Sequence, residues 1–311
     1  MRAFSFLHLR PARRISSLSA GAAIAALLLT GCVTTANGVQ AEAAPGSAEA
    51  PIGAQASVAR GPFVSAANPL AVEAGMKVLA RGGSAVDAAV AIQAVLGLTE
   101  PQSSGLGGGA FMMFYDAESG AVTVYDGRET APAAATPELF YENGKPLAFG
   151  DAVLSGRSTG APGVVPMLAL AQQQHGALAW SELFGDAEAL AQDGFIVSPR
   201  LAGMINGSAP QAKTRWATEY FTKPDGARYQ AGETLRNPAY AETVRRIARE
   251  GAAALQQGPL AEAIVAAVNE GPRPGALTTA DIAGYRPVVR EAVCGPYKIY
   301  TICVPPPPSS G

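Results

Sequence analysis

The stretch Gly82-Gly83-Ser84-Ala85-Val86-Asp87-Ala88-Ala89-Val90-Ala91 runs on through Thr99-Glu100-Pro101-Gln102 to Gly105-Leu106-Gly107-Gly108-Gly109-Ala110-Phe111, and its reading decides the fold. Gly82-Gly83 stops the helix before it, and Ser84 is an N-cap for the next. From Ala85 to Leu98 apolar residues fall on nearly every face, which predicts a helix buried on most sides. After the Gly-rich loop come two β-type runs, Ala110–Tyr115 and Ala121–Tyr125, joined by Asp116-Ala117-Glu118-Ser119-Gly120. That pattern is a hairpin. Upstream, Asn68-Pro69 reads as cap and first turn of a helix reaching Arg81.

Downstream the pattern turns helical. Val164–Gln174, Trp180–Gln192, Pro238–Gly251 with Asn237 as its cap, and Glu262–Glu270 all read as helices. Thr279 reads as the cap of a short helix over Ala280–Tyr285, and Tyr297–Val304 as an extended run into Pro305–Pro308. Strands in hairpins without βαβ alternation make the class α+β.

The chain has 311 residues, 48% of them hydrophobic and 15% charged, enough apolar material for a large core. Its two histidines and three cysteines leave no room for a multi-His or four-Cys metal site. Arg2, Arg10, Arg13 and Arg14 precede a short apolar run, Leu18–Leu29, with no acidic residue before Cys32. This is the layout of a signal peptide over 1–31. Leu29-Thr30-Gly31-Cys32 resembles a bacterial lipobox, so Cys32 is the expected lipidation site and first mature residue. Residues 33–60, rich in Ala, Gly, Pro and Ser and free of aromatics, read as a flexible tether. The plan is therefore a signal (1–31), a lipid-anchored tether (32–60) and a globular domain (61–311), exported to the periplasm and held at a membrane. The mature part carries 19 basic against 25 acidic residues, a net of −6, which argues against nucleic acid as a partner.

Three local motifs fail on their context. Gly105–Ala110 fits G-x-G-x-x-A, but a helix precedes it and a strand follows, the reverse of a dinucleotide site. The loop reads instead as close backbone packing into the sheet. Gly156-Arg157-Ser158-Thr159-Gly160 fits the nucleophile elbow, yet no acid lies between Ser158 and His175, the one downstream histidine. His175-Gly176 reads as a helix end. Cys294 and Cys303, nine extended steps apart, would sit about 30 Å from each other at about 3.3 Å per residue, against the roughly 7 Å a disulfide tolerates. Gly295-Pro296 could turn the chain, but buried or idle thiols are the expectation there.

Three further stretches keep their order: Gly82–Phe111 as quoted, Asp126-Gly127-Arg128-Glu129-Thr130-Ala131-Pro132, and Pro306-Pro307-Pro308-Ser309-Ser310-Gly311. With Ala161-Pro162-Gly163, Ala191-Gln192-Asp193-Gly194-Phe195 and Leu277–Tyr285 between them, they closely resemble the γ-glutamyltransferases, also called glutathione hydrolases. The resemblance implies an N-terminal-nucleophile hydrolase αββα sandwich, of which this chain carries an incomplete large-subunit part. It further implies a proenzyme that cuts itself to free a nucleophilic Thr, with chemistry that needs no metal or organic cofactor. The implied partners are glutathione or another γ-glutamyl donor, a water or amino-acid acceptor, and a small subunit. Arg128 occupies the family's D-x-R-E-x-A-P arginine, which binds the donor's α-carboxylate, a planar acceptor suited to a two-pronged guanidinium. The competing role for Arg128 is an ion pair with Asp126 or Glu129.

In the family the nucleophilic Thr follows the Pro-Pro-Pro-Ser-Ser-Gly motif, so it is expected beyond Gly311 and the 311 residues are expected to be inactive by themselves. Thr278-Thr279 is no substitute, being a helix cap. Sibling acylases or poly-γ-glutamate transpeptidases, and a non-catalytic binding or scaffold remnant, are the alternatives. The carboxylate clamp at Arg128 disfavours the acylase. A raw core face disfavours the remnant. A radioactive fatty acid supplied to growing cells should label the protein, and Cys32→Ala should abolish the label; persistent labelling would contradict lipidation at Cys32.

Overall fold

The computed structural model describes residues 61–311; Cys32, the signal and the tether lie outside the described residues. Helix α1 (Pro69–Ala80) starts where Asn68 Oδ1 accepts the Leu70 N–H at 3.0 Å, with Pro69 in the first turn. The chain then turns through Gly82, at φ +87°, a conformation costly for any residue with a Cβ. Helix α2 (Ala85–Thr99) opens on a capping box. Ser84 Oγ accepts the Asp87 N–H at 3.1 Å, and Asp87 Oδ2 accepts the Ser84 N–H at 2.9 Å.

Asp87 does more than cap. It is fully buried, and Oδ2 also accepts the N–H groups of Ala177 (2.7 Å) and Leu178 (3.1 Å), while Oδ1 accepts from Gln172 at 3.2 Å. Burial alone pushes its carboxyl up, but the donors from Ala177, Ser84, Gln172 and Leu178 together outweigh that and hold it below the usual range. The carboxylate thereby ties the start of α2 to the turn that ends the later helix at His175.

Strands β1 (Ala110–Tyr115) and β2 (Val122–Gly127) form the expected hairpin, in register from Ala110↔Gly127 to Tyr115↔Val122. After the small hairpin β3 (Tyr141–Glu142) and β4 (Lys145–Pro146) come helices α3 (Phe149–Leu154) and α4 (Val164–His175). The next segment holds α5 (Gly185–Asp193), β5 (Phe195–Ile196), α6 (Pro199–Ile205), α7 (Arg215–Phe221) and β6 (Thr234–Leu235). Helices α8 (Pro238–Glu250), α9 (Ala253–Gln256), α10 (Gly258–Val268) and α11 (Thr279–Gly284) follow, then β7 (Val288–Glu291), β8 (Val293–Tyr297) and β9 (Tyr300–Val304).

Strand β7 joins the sheet beside β2, giving the antiparallel order β1-β2-β7. Ala110, Met112 and Phe114 alternate onto one face of β1 and pack against the core built by α1, α2 and α4. Met113 and Tyr115 point the other way and are exposed, as are Val288 and Val289 on β7. Helices thus cover one sheet face. A second cluster gathers Leu98, Phe195, Leu201 and Leu235, and a third gathers Ala161, Val268, Leu277, Ile282 and Tyr285 beneath α10 and α11.

Several expectations need correction. The run expected as one helix over Trp180–Gln192 is a 3-10 turn, Trp180–Leu183, followed by α5, because the chain re-aims at Phe184 to bury that ring. The helix expected over Glu262–Glu270 starts earlier, at Gly258, where Pro259 occupies the first turn. The cap of α11 is Thr278, not Thr279: Thr278 Oγ1 accepts the Asp281 N–H at 3.1 Å, and Asp281 returns the bond to the Thr278 N–H at 2.9 Å. Cys294 and Cys303 are not buried or idle thiols but a disulfide, with Cα atoms 4.1 Å apart. The chain between them is not extended; it reverses at Lys298-Ile299, so β8 and β9 pair and place the two cysteines opposite each other.

Asp87→Asn puts an amide donor against N–H groups that need an acceptor, and should cost about 3 kcal/mol of stability in urea unfolding. The folded carboxyl lies below its unfolded value of about 3.9, so its contribution is complete at neutral pH and is lost as pH falls through the folded value. The variant should therefore show a shallower loss of stability with acid; an unchanged acid limb would contradict this role.

Candidate functional site

Arg128 follows the last residue of β2, and its backbone is held from both sides. Its N–H donates to Asp126 Oδ1 at 2.9 Å, and its carbonyl accepts from Tyr285 Oη at 2.9 Å. Two residues on, the Thr130 carbonyl accepts the Ala161 N–H at 2.9 Å. The segment that follows β2 is therefore a fixed shelf.

The side chains sort themselves by charge. Asp126 is buried, and its Oδ2 takes Arg290 Nε from β7 at 2.6 Å. The side chain of Arg128 is 64% exposed, and its carboxylate neighbour among the described residues is Glu129, 3.6 Å from Nε. Of the two ion pairs considered for Arg128, the one with Asp126 is thus taken by Arg290, and the one with Glu129 is long and open to solvent. Such a contact contributes at most about 1 kcal/mol. Arg128 is left with most of its donor capacity for a ligand.

That capacity faces an open cleft of about 380 Å³, bordered by Arg128, Glu129, Leu139, Phe140, Arg157 and Ser158. Its wall at Leu139 and Phe140 is steadied from below by Arg157, whose Nη1 donates to the Leu139 carbonyl at 3.3 Å while Nη2 lies 3.2 Å from Glu142. Gly107 also borders the cleft, so the Gly-rich loop is not wholly packed into the sheet as its sequence suggested. Close packing holds at Gly109, where a Cβ would stand 2.5 Å from Glu129 Oε2 and 2.6 Å from the Gly127 carbonyl. The carbonyl of Gly108 accepts the N–H groups of Gly163 and Val164, both at 3.0 Å, and so fastens the loop to the start of α4.

The nucleophile-elbow serine is engaged elsewhere. Ser158 Oγ donates to the carbonyls of Val153 (3.0 Å) and Ser155 (2.9 Å). His175 ends α4, bonds Tyr125 Oη through Nε2 at 2.7 Å and stacks on Phe114. The two make no Ser–His pair. Among the described residues no cluster of three His, Cys, Asp or Glu side chains is placed to hold a metal.

Two residues that shape the cleft were not identified as such from sequence. Arg157 was read only as a variable position inside Gly156–Gly160, and nothing local marks its reach to the Leu139 carbonyl. Tyr285 lies 157 residues from the carbonyl it holds. Burial, then the nearby Asp126 and Glu129 carboxylates, push its hydroxyl up to about 12, so it remains a donor at neutral pH.

Residues 71–311 match the gamma-glutamyltranspeptidase family. The glutathione hydrolase proenzyme of Bacillus subtilis is 38% identical over 258 residues, covering 83% of this chain and 43% of the relative. The chain thus spans less than half the length of that curated relative. The crystal structure of Helicobacter pylori gamma-glutamyltranspeptidase superposes with a TM-score of 0.75 at 32% identity, over 80% of this chain and 71% of that one. The Bacillus anthracis transpeptidase CapD gives a TM-score of 0.66 at 33% identity, over 81% and 78% of the respective chains. By sequence and by fold the chain belongs to the γ-glutamyltranspeptidase family of N-terminal-nucleophile hydrolases.

Proposed function

We propose that this chain is the large-subunit part of an enzyme that transfers the γ-glutamyl group of glutathione and related compounds to water or to an amino-acid or peptide acceptor. The observation that carries the reading is the state of Arg128: backbone held at both ends, guanidinium exposed at the cleft, and the nearest buried carboxylate already neutralised by Arg290. A planar fork so presented suits the α-carboxylate of a γ-glutamyl donor.

In this reading the nucleophile is a Thr outside the 311 residues, freed by self-cleavage. Its hydroxyl attacks the γ-amide carbonyl, with its own α-amine as base, and the amine of the donor leaves. The γ-glutamyl ester is then opened by water or by the acceptor's amine. Of the hydroxyls that sequence patterns single out, Ser158 is engaged by backbone carbonyls, Thr278 caps α11 and Thr279 is the first residue of that helix, which supports inactivity of the 311 residues alone. The small subunit is the required partner. No cofactor enters the scheme, and Cys32 anchors the enzyme at the periplasmic side of a membrane. A poly-γ-glutamate transpeptidase is the second reading, favoured by the likeness to CapD, because the same carboxylate clamp would serve a polymer end.

In the full-length enzyme, Arg128→Lys replaces a fork by a point charge. The KM for a γ-glutamyl anilide should rise about 10-fold or more with the fold intact, the loss of about 1.4 kcal/mol or more of carboxylate binding. An unchanged KM would remove Arg128 from the donor site.

A further inference from the structure

Helix α11 touches the Arg128 shelf at two separated points. At its C-terminal end Tyr285, 4% exposed, donates its hydroxyl to the Arg128 carbonyl at 2.9 Å. At its N-terminal turn Asp281 Oδ1 accepts the Ala133 N–H at 2.9 Å, while Oδ2 closes the capping box with Thr278. One short helix thus holds both ends of the segment Arg128–Ala133. The tyrosine has little freedom to release it: its backbone carbonyl accepts from Gln256 Nε2 at 3.0 Å, and its Oη packs so closely on Gly163 that a Cβ there would clash with it.

We infer that α11 is a clasp that sets where Arg128 presents its guanidinium, with Tyr285 as a positioning residue for donor binding. The inference rests on the proposed role of Arg128. Tyr285 is not itself among the residues that border the cleft, and it reaches substrate only through the Arg128 backbone. A guanidinium clamp tolerates little misplacement, since both forks must meet their oxygens at once. Loosening the shelf therefore weakens donor binding while leaving the chemical step alone.

The test is Tyr285→Phe in the full-length enzyme, which removes one hydroxyl and keeps the ring in its pocket. With a γ-glutamyl anilide as donor, KM should rise about fivefold, as expected for one lost hydrogen bond, with kcat within about twofold. The decisive readout is the same change in an Arg128→Lys background, where it should add less than about twofold, because the group being positioned is gone. An equal effect in both backgrounds, or a fall in kcat at constant KM, would overturn the inference. If Arg128→Lys raises KM while Tyr285→Phe does not, the clasp alone fails; if Arg128→Lys leaves KM unchanged, the γ-glutamyl reading fails first.

Should Tyr285→Phe fold poorly, Ala133→Pro loosens the other end. Ala133 is the second residue of a turn closed by Ala135 N–H to the Pro132 carbonyl at 2.9 Å, a position that favours proline, so the substitution deletes only the donor to Asp281. It should give the same rise in KM at constant kcat; a wild-type KM in this variant would likewise overturn the clasp.

Discussion

Gly127, the last residue of β2, lies against Gly163, the residue before α4, with no room for a Cβ on either. A Cβ on Gly127 would stand 2.6 Å from Met167 Cβ, and one on Gly163 would run into the Gly127 carbonyl. Because strand end and helix start meet backbone to backbone, the Arg128 shelf begins beside the start of α4. The same approach lets the Gly108 carbonyl reach the first N–H groups of α4. Even one added methyl on either glycine is an overpacking of a kind that costs about 1–3 kcal/mol; at Gly163 the obstruction is backbone, and at Gly127 it is the Met167 Cβ, which its own backbone fixes. The position of the cleft follows from that contact.

Electrostatics then decides which arginine is structural. Asp126 is buried and would be costly without a cation; Arg290 supplies one across the β2–β7 pairing. Removing Arg290 would leave the Asp126 carboxylate buried without a cation, its other oxygen held by the Arg128 N–H. Arg128 bears no such burden. Its backbone satisfies the other oxygen of Asp126, so its side chain is positioned by the aspartate without being neutralised by it. The buried acid thus separates two roles that the sequence places side by side: Arg290 holds the sheet, and Arg128 faces the cleft.

Much of the fold was legible in the sequence because its signals are local. Asn68, Ser84 and Asn237 cap the helices they precede, and the Asp116–Gly120 loop turns the hairpin through Gly120 at φ +71°. The dinucleotide-like glycines were rejected on context, and a strand does follow them. What stayed hidden depends on contacts far apart in sequence. The disulfide escaped because an extended run was assumed where Lys298-Ile299 reverses the chain. Thr278 and Thr279 cannot be told apart until the helix is seen to start one residue earlier. Arg128 stood out through its motif, whereas Tyr285 and Arg157 carry no motif that announces what they hold.

In the proposed function Arg128 is a preset receptor for the α-carboxylate of a γ-glutamyl group. A crystal structure of the full-length enzyme with L-glutamate bound tests it most directly. The account predicts both carboxylate oxygens within about 3 Å of the Arg128 guanidinium, with the shelf still held by Asp126 and Tyr285. Glutamate bound with its α-carboxylate on other donors, and Arg128 turned to Glu129 or to solvent, would contradict it.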